Sequence, residues 1–372
     1  MSSIFAPLAP PKRLLFGPGP SLVAPRVYEA MGKSVVGHLD PFFFQVNEEI
    51  RAGLQAAYGT ANAFTMAISG TGSAGMEAAV SNFVEPGSKF VVFANGFFCD
   101  RMSEMGRRQD ATVVRFEAPW GQSFDEAAAA DFIRKEKPNT VAFVHGETST
   151  GVFTSGEAIC AAAHEVGAIT IADCVTSLGT MPINLDATGI DVAYSCTQKG
   201  LSCPPGLSPI SCSPLAMERL KARTSVNHSW YLDLKLLAEY YEGAHRYHHT
   251  APISMFYALR EGLALVLEEG VDARFARHKE NHLKLVAGLE AMGMEMLVAP
   301  GTRMWALHTP KVPAGVNDLD VRKKLMERHG IEIQGGFGPL AGQVFRIGLM
   351  GEGSTAANVD LLLGALREAI AG

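Results

Sequence analysis

The sequence has no apolar run close to the ~18 residues that span a bilayer, no CxxC spacing and no basic stripe. Each absence removes a class of protein. Without a long apolar run there is no membrane partner to expect. A net charge of -6 with no basic stripe argues against nucleic acid. Without CxxC pairs, Cys99, Cys160, Cys174, Cys196, Cys203 and Cys212 read as reduced thiols. The first residues, "MSSIFAPLAPPKRLLFGPGP", are broken by prolines and lack a charged region followed by an apolar one, so they are not a secretory signal. A cytoplasmic protein is expected. Charge itself is scarce, at 19% of residues, and scarcest around one lysine. Between Asp191 and Glu218 the only charged residue is Lys199, in "SCTQKGLSCPPG". It is either a surface lysine following a strand or a lysine held for covalent chemistry.

The 372 residues suggest one large domain and a smaller one. Prolines make residues 1–20 an irregular arm. From about residue 64, β-rich runs ("FTMAIS", "KFVVFANG", "ATVVRFEA", "NTVAFVHG", "AITIADC", "IDVAYSC", "GLSPISCS") alternate with helical patterns. That alternation predicts an α/β fold, a mostly parallel sheet with helices on both faces. After about residue 255, long helices precede short strands and a last helix, which reads as a smaller α+β domain. The expected division is arm 1–20, large domain 21–255 and small domain 256–372.

Three features carry chemistry. In "ISGTGSAGMEAAV" a strand ends, a Gly-rich turn follows and a helix opens. Thr71, Gly72 and Ser73 there make either a phosphate cradle at a helix start or only a tight turn. No GK[ST] follows, so it is not a Walker loop, and the GxGxxG within it is weak evidence for a dinucleotide. In "AITIADCVTSLG", Asp173 ends a strand at the edge where α/β sheets bind ligands, or caps the following turn. Lys199 lies just past the next strand. Together they place an anion site, a carboxylate and an amine at one edge of one sheet. Pyridoxal 5'-phosphate requires that set: a seat for its phosphate, a partner for its ring nitrogen and an amine for its aldehyde.

At this point the sequence resembles a known family, the class V aminotransferases of pyridoxal phosphate fold type I, near the alanine–glyoxylate and serine–pyruvate branch. The matching pieces are "FGPGPS" (16–21), "SGTGSAGMEA" (69–78), "FANGFF" (93–98), "HGETSTGV" (145–152), "ADCVTSLG" (172–179), "YSCTQKGLSCPPG" (194–206), "RYHHTAPI" (246–253) and "FRIGLMG" (345–351), in the family's order. The resemblance implies roles. Lys199 forms the aldimine and then shuttles the proton; Asp173 pairs with the ring nitrogen. Val175 and Phe98 cover the ring faces, Thr71, Gly72, Ser73 and Gln198 hold the phosphate, and Thr148 meets the ring hydroxyl. Tyr247 and Thr250 reach the neighbouring subunit's phosphate, which implies a homodimer with shared sites. Arg346 grips the substrate carboxylate, with Gly17 nearby. Two positions depart from common relatives: Phe98 stands where a Trp is frequent, and Ser73 where some have His.

The resemblance therefore implies amino transfer from alanine or serine to glyoxylate or pyruvate. Tyr247 favours this branch over ureidoglycine users. The alternative on the same scaffold is a pyridoxamine–pyruvate or 2-aminoethylphosphonate–pyruvate transaminase, and the absence of an acid from Ser69 to Gly75 speaks against a pyridoxamine user. No cysteine follows Cys212, which speaks against a desulfurase. His145 and Glu147 are expected to form a hydrogen-bonded pair, with an acid–base role for His145 as the lesser reading. His245, His248 and His249 are expected to serve an interface, not a metal. His38 and Asp40 either line the substrate mouth or pack. Cys196 and Cys203 flank Lys199 as packing residues.

Overall fold

The computed structural model describes residues 7–242 and 245–371. All seven β-rich runs are strands, and they join one seven-stranded sheet. They are β1 (Phe64–Ser69), β2 (Lys89–Ala94), β3 (Thr112–Glu117), β4 (Thr140–Val144), β5 (Ile169–Asp173), β6 (Val192–Tyr194) and β7 (Leu207–Cys212). The spatial order is β1-β7-β6-β5-β4-β2-β3. β7 is antiparallel to both neighbours, and the other pairs are parallel. β2, β4 and β5 are covered on both faces, which is why they read as continuous apolar runs. The edge strand β3 is half-buried; its Arg115 pairs with Asp100 and Glu117.

Local chemistry explains the helices. α1 (Pro41–Tyr58) starts where Asp40 accepts the Phe42 N–H at 2.8 Å and Pro41 supplies the first turn. It stops at Gly59, whose φ of 67° suits a residue without a Cβ. Phe43, Val46, Ile50, Leu54 and Ala57 form its buried stripe, so in "GHLDPFFF" Asp40 is a cap and Phe43 is core. α2 (Gly72–Phe83) is buried nearly all round, packed against β5, β6 and β7. α3 (Phe97–Arg108) follows β2.

Buried apolar residues from Ala24 to Val266 make one cluster. Phe16 and residues from Leu285 to Ala369 make a second. The helix α4 (Ile253–Glu269), read from the sequence as the head of the small domain, buries Phe256, Leu259, Leu263 and Val266 in the first cluster. Its apolar stripe matches the face of α1, and periodicity alone does not say which core a helix joins. α5 (Val271–Ala291), a three-stranded antiparallel sheet of β8 (Leu307–His308), β9 (Gln334–Gly335) and β10 (Phe345–Gly348), and α6 (Ala356–Ala371) surround the second cluster.

The expected arm is not irregular throughout. Leu14–Leu15 pairs in parallel with Ile331–Glu332, and Phe16 is fully buried in the second cluster. No proline falls between Pro11 and Pro18, so the backbone donors there remain available. No helix among the described residues is long and apolar enough to cross a membrane.

Candidate active site

Strands β1, β2, β4, β5 and β6 all end at one edge of the sheet, and a cavity of about 240 Å³ opens there. Nine of the expected residues line it: Thr71, Gly72, Ser73, Phe98, Thr148, Asp173, Val175, Gln198 and Lys199.

At its base lies Asp173, the last residue of β5 and 3% exposed. Its Oδ1 accepts the Val175 N–H at 2.9 Å and its Oδ2 accepts the Tyr194 hydroxyl at 2.8 Å. So Asp173 holds the following turn and also faces the cavity. Burial pushes its carboxyl up to about 6 against the two bonds that pull it down. A cation at this spot would restore the charged form. Tyr194 is Asp173's register partner on β6, which is how it comes within reach.

Lys199 sits just past β6. Its backbone carbonyl accepts the Ser21 hydroxyl at 2.7 Å, which ties it to the N-terminal segment. Gly19 packs on its side chain so closely that a Cβ there would lie 2.5 Å from Nζ. Burial disfavours the ammonium, and the nearby Arg346 charge lowers its pKa further, partly offset by Cys196 and Asp173. A lysine in that condition is a nucleophile in waiting.

The opening of α2 makes the anion seat. Gly70, at φ 128°, turns the chain, and its N–H donates to the Gly206 carbonyl at 2.9 Å. Thr71, the N-cap residue, makes no side-chain capping bond, so its hydroxyl is available to the cavity. A Cβ on Gly72 would approach Val175 Cγ2 to 3.0 Å, so a larger residue here would crowd Val175. Among the described residues the buried Gln198 Oε1 and Ser69 Oγ have no hydrogen-bond partner.

Arg346, in β10, stands beside the cavity without lining it and is 4% exposed. Its Nε donates to the Gly335 carbonyl at 2.7 Å and its Nη1 to the Thr148 carbonyl at 3.4 Å. The guanidinium lies 3.8 Å above the centre of the Phe337 ring. Desolvation pulls its pKa down to about 10, and among the described residues no carboxylate pairs with it. Gly17 is near: the Phe16 carbonyl accepts the Gly348 N–H at 2.8 Å, two residues past Arg346.

Tyr247 and Thr250 do not reach this cavity. They lie together on the surface, 3.4 Å apart at their hydroxyls, with the Tyr247 ring tilted against His38 at 4.9 Å between centroids. The three histidines beside them do not converge. His245 stacks on Phe44, His248 meets the Tyr231 carbonyl, and His249 stacks on Tyr231. Among the described residues no metal-holding group of His, Cys, Asp and Glu exists.

The expected His145–Glu147 pair is absent. His145 is buried edge-on to Phe153, its Nδ1 has no partner among the described residues, and burial lowers its pKa to about 4. Glu147 instead accepts from the Ser149 backbone and hydroxyl at 2.9 and 2.7 Å and from the Phe98 N–H at 3.1 Å. It thereby fixes the start of α3 and the position of Phe98. Cys196 and Cys203 are buried, and desolvation pushes both thiols up to about 12, which leaves them inert.

A buried carboxylate that a cation would re-ionise, a desolvated lysine, an unoccupied N-cap hydroxyl at a glycine-lined helix start and an unpaired arginine beside them fit pyridoxal 5'-phosphate. With the sheet topology they define a pyridoxal-phosphate-dependent transferase of fold type I. The chain belongs to the class V aminotransferases: the family model described as Aminotransferase class-V matches residues 14–362. It is 41% identical over 368 residues to an alanine–glyoxylate aminotransferase of Oryctolagus cuniculus, covering 98% of this chain and 94% of that protein. A crystal structure of an alanine–glyoxylate aminotransferase from Nostoc sp. superposes with a TM-score of 0.96 at 43% identity, covering 98% and 97% of the two chains. That of a ureidoglycine–glyoxylate aminotransferase from Bacillus subtilis also gives 0.96, at 37% identity, covering 98% and 95%.

Proposed function

We propose that this aminotransferase moves an amino group from alanine or serine to glyoxylate or pyruvate, as a cytoplasmic homodimer. The observation that carries the reading is the convergence of Lys199, Asp173 and the opening of α2 on one cavity, with unpaired Arg346 beside it. Bound there, pyridoxal 5'-phosphate supplies a carbonyl for the incoming amine and a ring that accepts electrons.

The residues then divide the work. Thr71, Ser73, Gln198 and the first amides of α2 hold the phosphate. Asp173, supported by Tyr194 and the Val175 N–H, holds a proton on the ring nitrogen. Phe98 and Val175, both on the cavity wall, would flank the ring, and Thr148 would offer it a hydroxyl. Lys199 Nζ takes the α-proton of the donor and hands it on. Gly19 leaves that nitrogen room to swing. Arg346 receives the substrate carboxylate, oriented by Phe337 and by the Gly335 and Thr148 carbonyls.

The surroundings of Arg346 bear on the substrate. Phe97 and Phe337 stand 5.1 Å apart beside it, and the next arginine, Arg322, is paired with Asp318 at 2.9 Å. An apolar wall flanked by an arginine that is already paired suits a monocarboxylate with a short neutral side chain. The Oryctolagus cuniculus and Nostoc relatives are named for substrates of that kind.

The dimer rests on the surface. Tyr28, Val35, Leu39 and Phe42 are each at least 47% exposed and close in sequence, and Tyr247 at 55% belongs to the same region through His38. In such a dimer Tyr247 and Thr250 would serve the neighbouring site, the role the resemblance implies for them. The cytoplasmic reading rests on the six unpaired, buried thiols.

The test is a matrix of donors against acceptors. Alanine or serine with glyoxylate or pyruvate is expected to give the highest kcat/KM. Faster turnover of 2-aminoethylphosphonate or pyridoxamine with pyruvate would overturn the substrate assignment and leave the fold and cofactor intact.

A further inference from the structure

The cavity is lined by two basic side chains, Lys199 and Arg101. Lys199 is engaged by the carbonyl chemistry, so it cannot also serve as a fixed counter-charge. Arg101 is not among the residues the sequence singles out. It lies on α3, one turn beyond Phe98.

Its placement is specific. Nη1 donates to Ser73 Oγ at 2.8 Å. Ser73 therefore uses its oxygen as an acceptor toward Arg101, and its own hydroxyl proton is left to point elsewhere. Cζ lies 5.1 Å from the centre of the Phe98 ring and 5.6 Å from that of Phe97, so the guanidinium is held against two aromatic side chains. The neighbouring carboxylate does not neutralise it, because Asp100 pairs with Arg115 at 2.7 Å. Among the described residues no ion pair involves Arg101. The result is an uncompensated, oriented cation at the opening of α2.

A phosphate ester carries about -1.5 to -2 charges at neutral pH. The other groups of the seat are neutral: hydroxyls, an amide side chain and backbone N–H groups. They can place a phosphate, but they offer only the partial charge of a helix end.

We propose that Arg101 is the phosphate-recognising cation of this site, acting directly and by turning the Ser73 hydroxyl toward the ester. The inference rests on the pyridoxal 5'-phosphate reading and adds a residue to it. Charge here falls to an arginine reaching in from α3 while Ser73 supplies only a small neutral hydroxyl.

The test compares two vitamers that differ only in the phosphate. Apoprotein of the wild type, Arg101→Gln and Arg101→Lys is titrated with pyridoxal 5'-phosphate and with pyridoxal, and Kd is read from the absorbance of the bound species. Losing a charge-assisted bond should raise the Kd of Arg101→Gln for pyridoxal 5'-phosphate by about 10- to 100-fold. Its Kd for pyridoxal should change by less than about twofold, given that no phosphate is present to lose a partner. Arg101→Lys should recover much of the affinity, as the charge remains. Equal weakening toward both vitamers would make Arg101 a packing residue for Phe98 and overturn the proposal. No weakening toward either would overturn it too. If the wild type itself binds pyridoxal 5'-phosphate no better than pyridoxal, the phosphate seat is wrong. If neither vitamer bonds to Lys199, the cofactor reading is wrong.

Discussion

Replacing Asp173 by Asn should stabilise the apoprotein while crippling the enzyme. The carboxyl moves from its ordinary 3.8 to about 6 because it is buried, and its bonds to the Val175 N–H and Tyr194 hydroxyl only partly offset that. The sign follows from proton linkage. The folded state holds a proton that the unfolded state has lost between about pH 4 and pH 6, so this group's contribution is full below about 4 and is lost as pH rises through about 6. At neutral pH the ionised Asp173 therefore costs about 3 kcal/mol, at 1.36 kcal/mol per pH unit. Asn fits the same bonds: its Oδ1 takes the Val175 N–H, and Tyr194 reverses its hydroxyl to accept from Nδ2. Urea unfolding of both apoproteins from pH 4.5 to 7.5 should show the variant gaining on the wild type by about 2–3 kcal/mol across the range. The buried histidines, such as His145, titrate in both proteins and cancel in the difference. With cofactor added the order should reverse, because only the wild type offers a charge to the ring nitrogen. A stability gap that does not vary with pH would refute the reasoning.

Other outcomes follow from contacts already described. Gly19→Ala places a methyl against Lys199 Nζ at a φ of 115°, so kcat should fall at least about 10-fold with the fold retained by circular dichroism. Arg346→Gln removes the bidentate fork, and KM for donor and acceptor should rise about 10²-fold while cofactor affinity stays unchanged. If Tyr247 and Thr250 complete the neighbouring site, mixing inactive Lys199→Ala subunits with Tyr247→Phe subunits should recover activity, since one site of each mixed dimer is then intact. Activity that stays additive on mixing would place each site within one subunit.

Much of this was legible beforehand, for identifiable reasons. The seven strands could be read because a sheet covered on both faces demands unbroken apolar runs, and "KFVVFANG" and "NTVAFVHG" are such runs. Lys199 and Asp173 stood out because a lone charge among small residues is conspicuous. What escaped notice depends on contacts between distant segments. Phe337 lies under Arg346 only because β9 and β10 pair in register, and no local pattern announces that stacking. Gly19 meets Lys199 because the segment after Phe16 crosses the sheet edge. Glu147 was matched with His145 by proximity in sequence, yet its acceptors face the start of α3, where the unsatisfied N–H groups are. Tyr194 and Arg101 were within reach of inference. Tyr194 is one strand over from Asp173 in parallel register, and Arg101 is one helical turn from Phe98.

Lys199 and its cavity are proposed to carry amino groups between small monocarboxylates. The most direct measurement is a half-reaction on the purified holoenzyme. Alanine or serine is added alone and the visible absorbance of the lysine-bound cofactor is followed; glyoxylate is then added. The band should bleach with the donor, return with glyoxylate, and do neither in Lys199→Ala. A band indifferent to alanine and serine but discharged by another amine would contradict the substrate assignment, and turnover surviving in Lys199→Ala would contradict the account of the site itself.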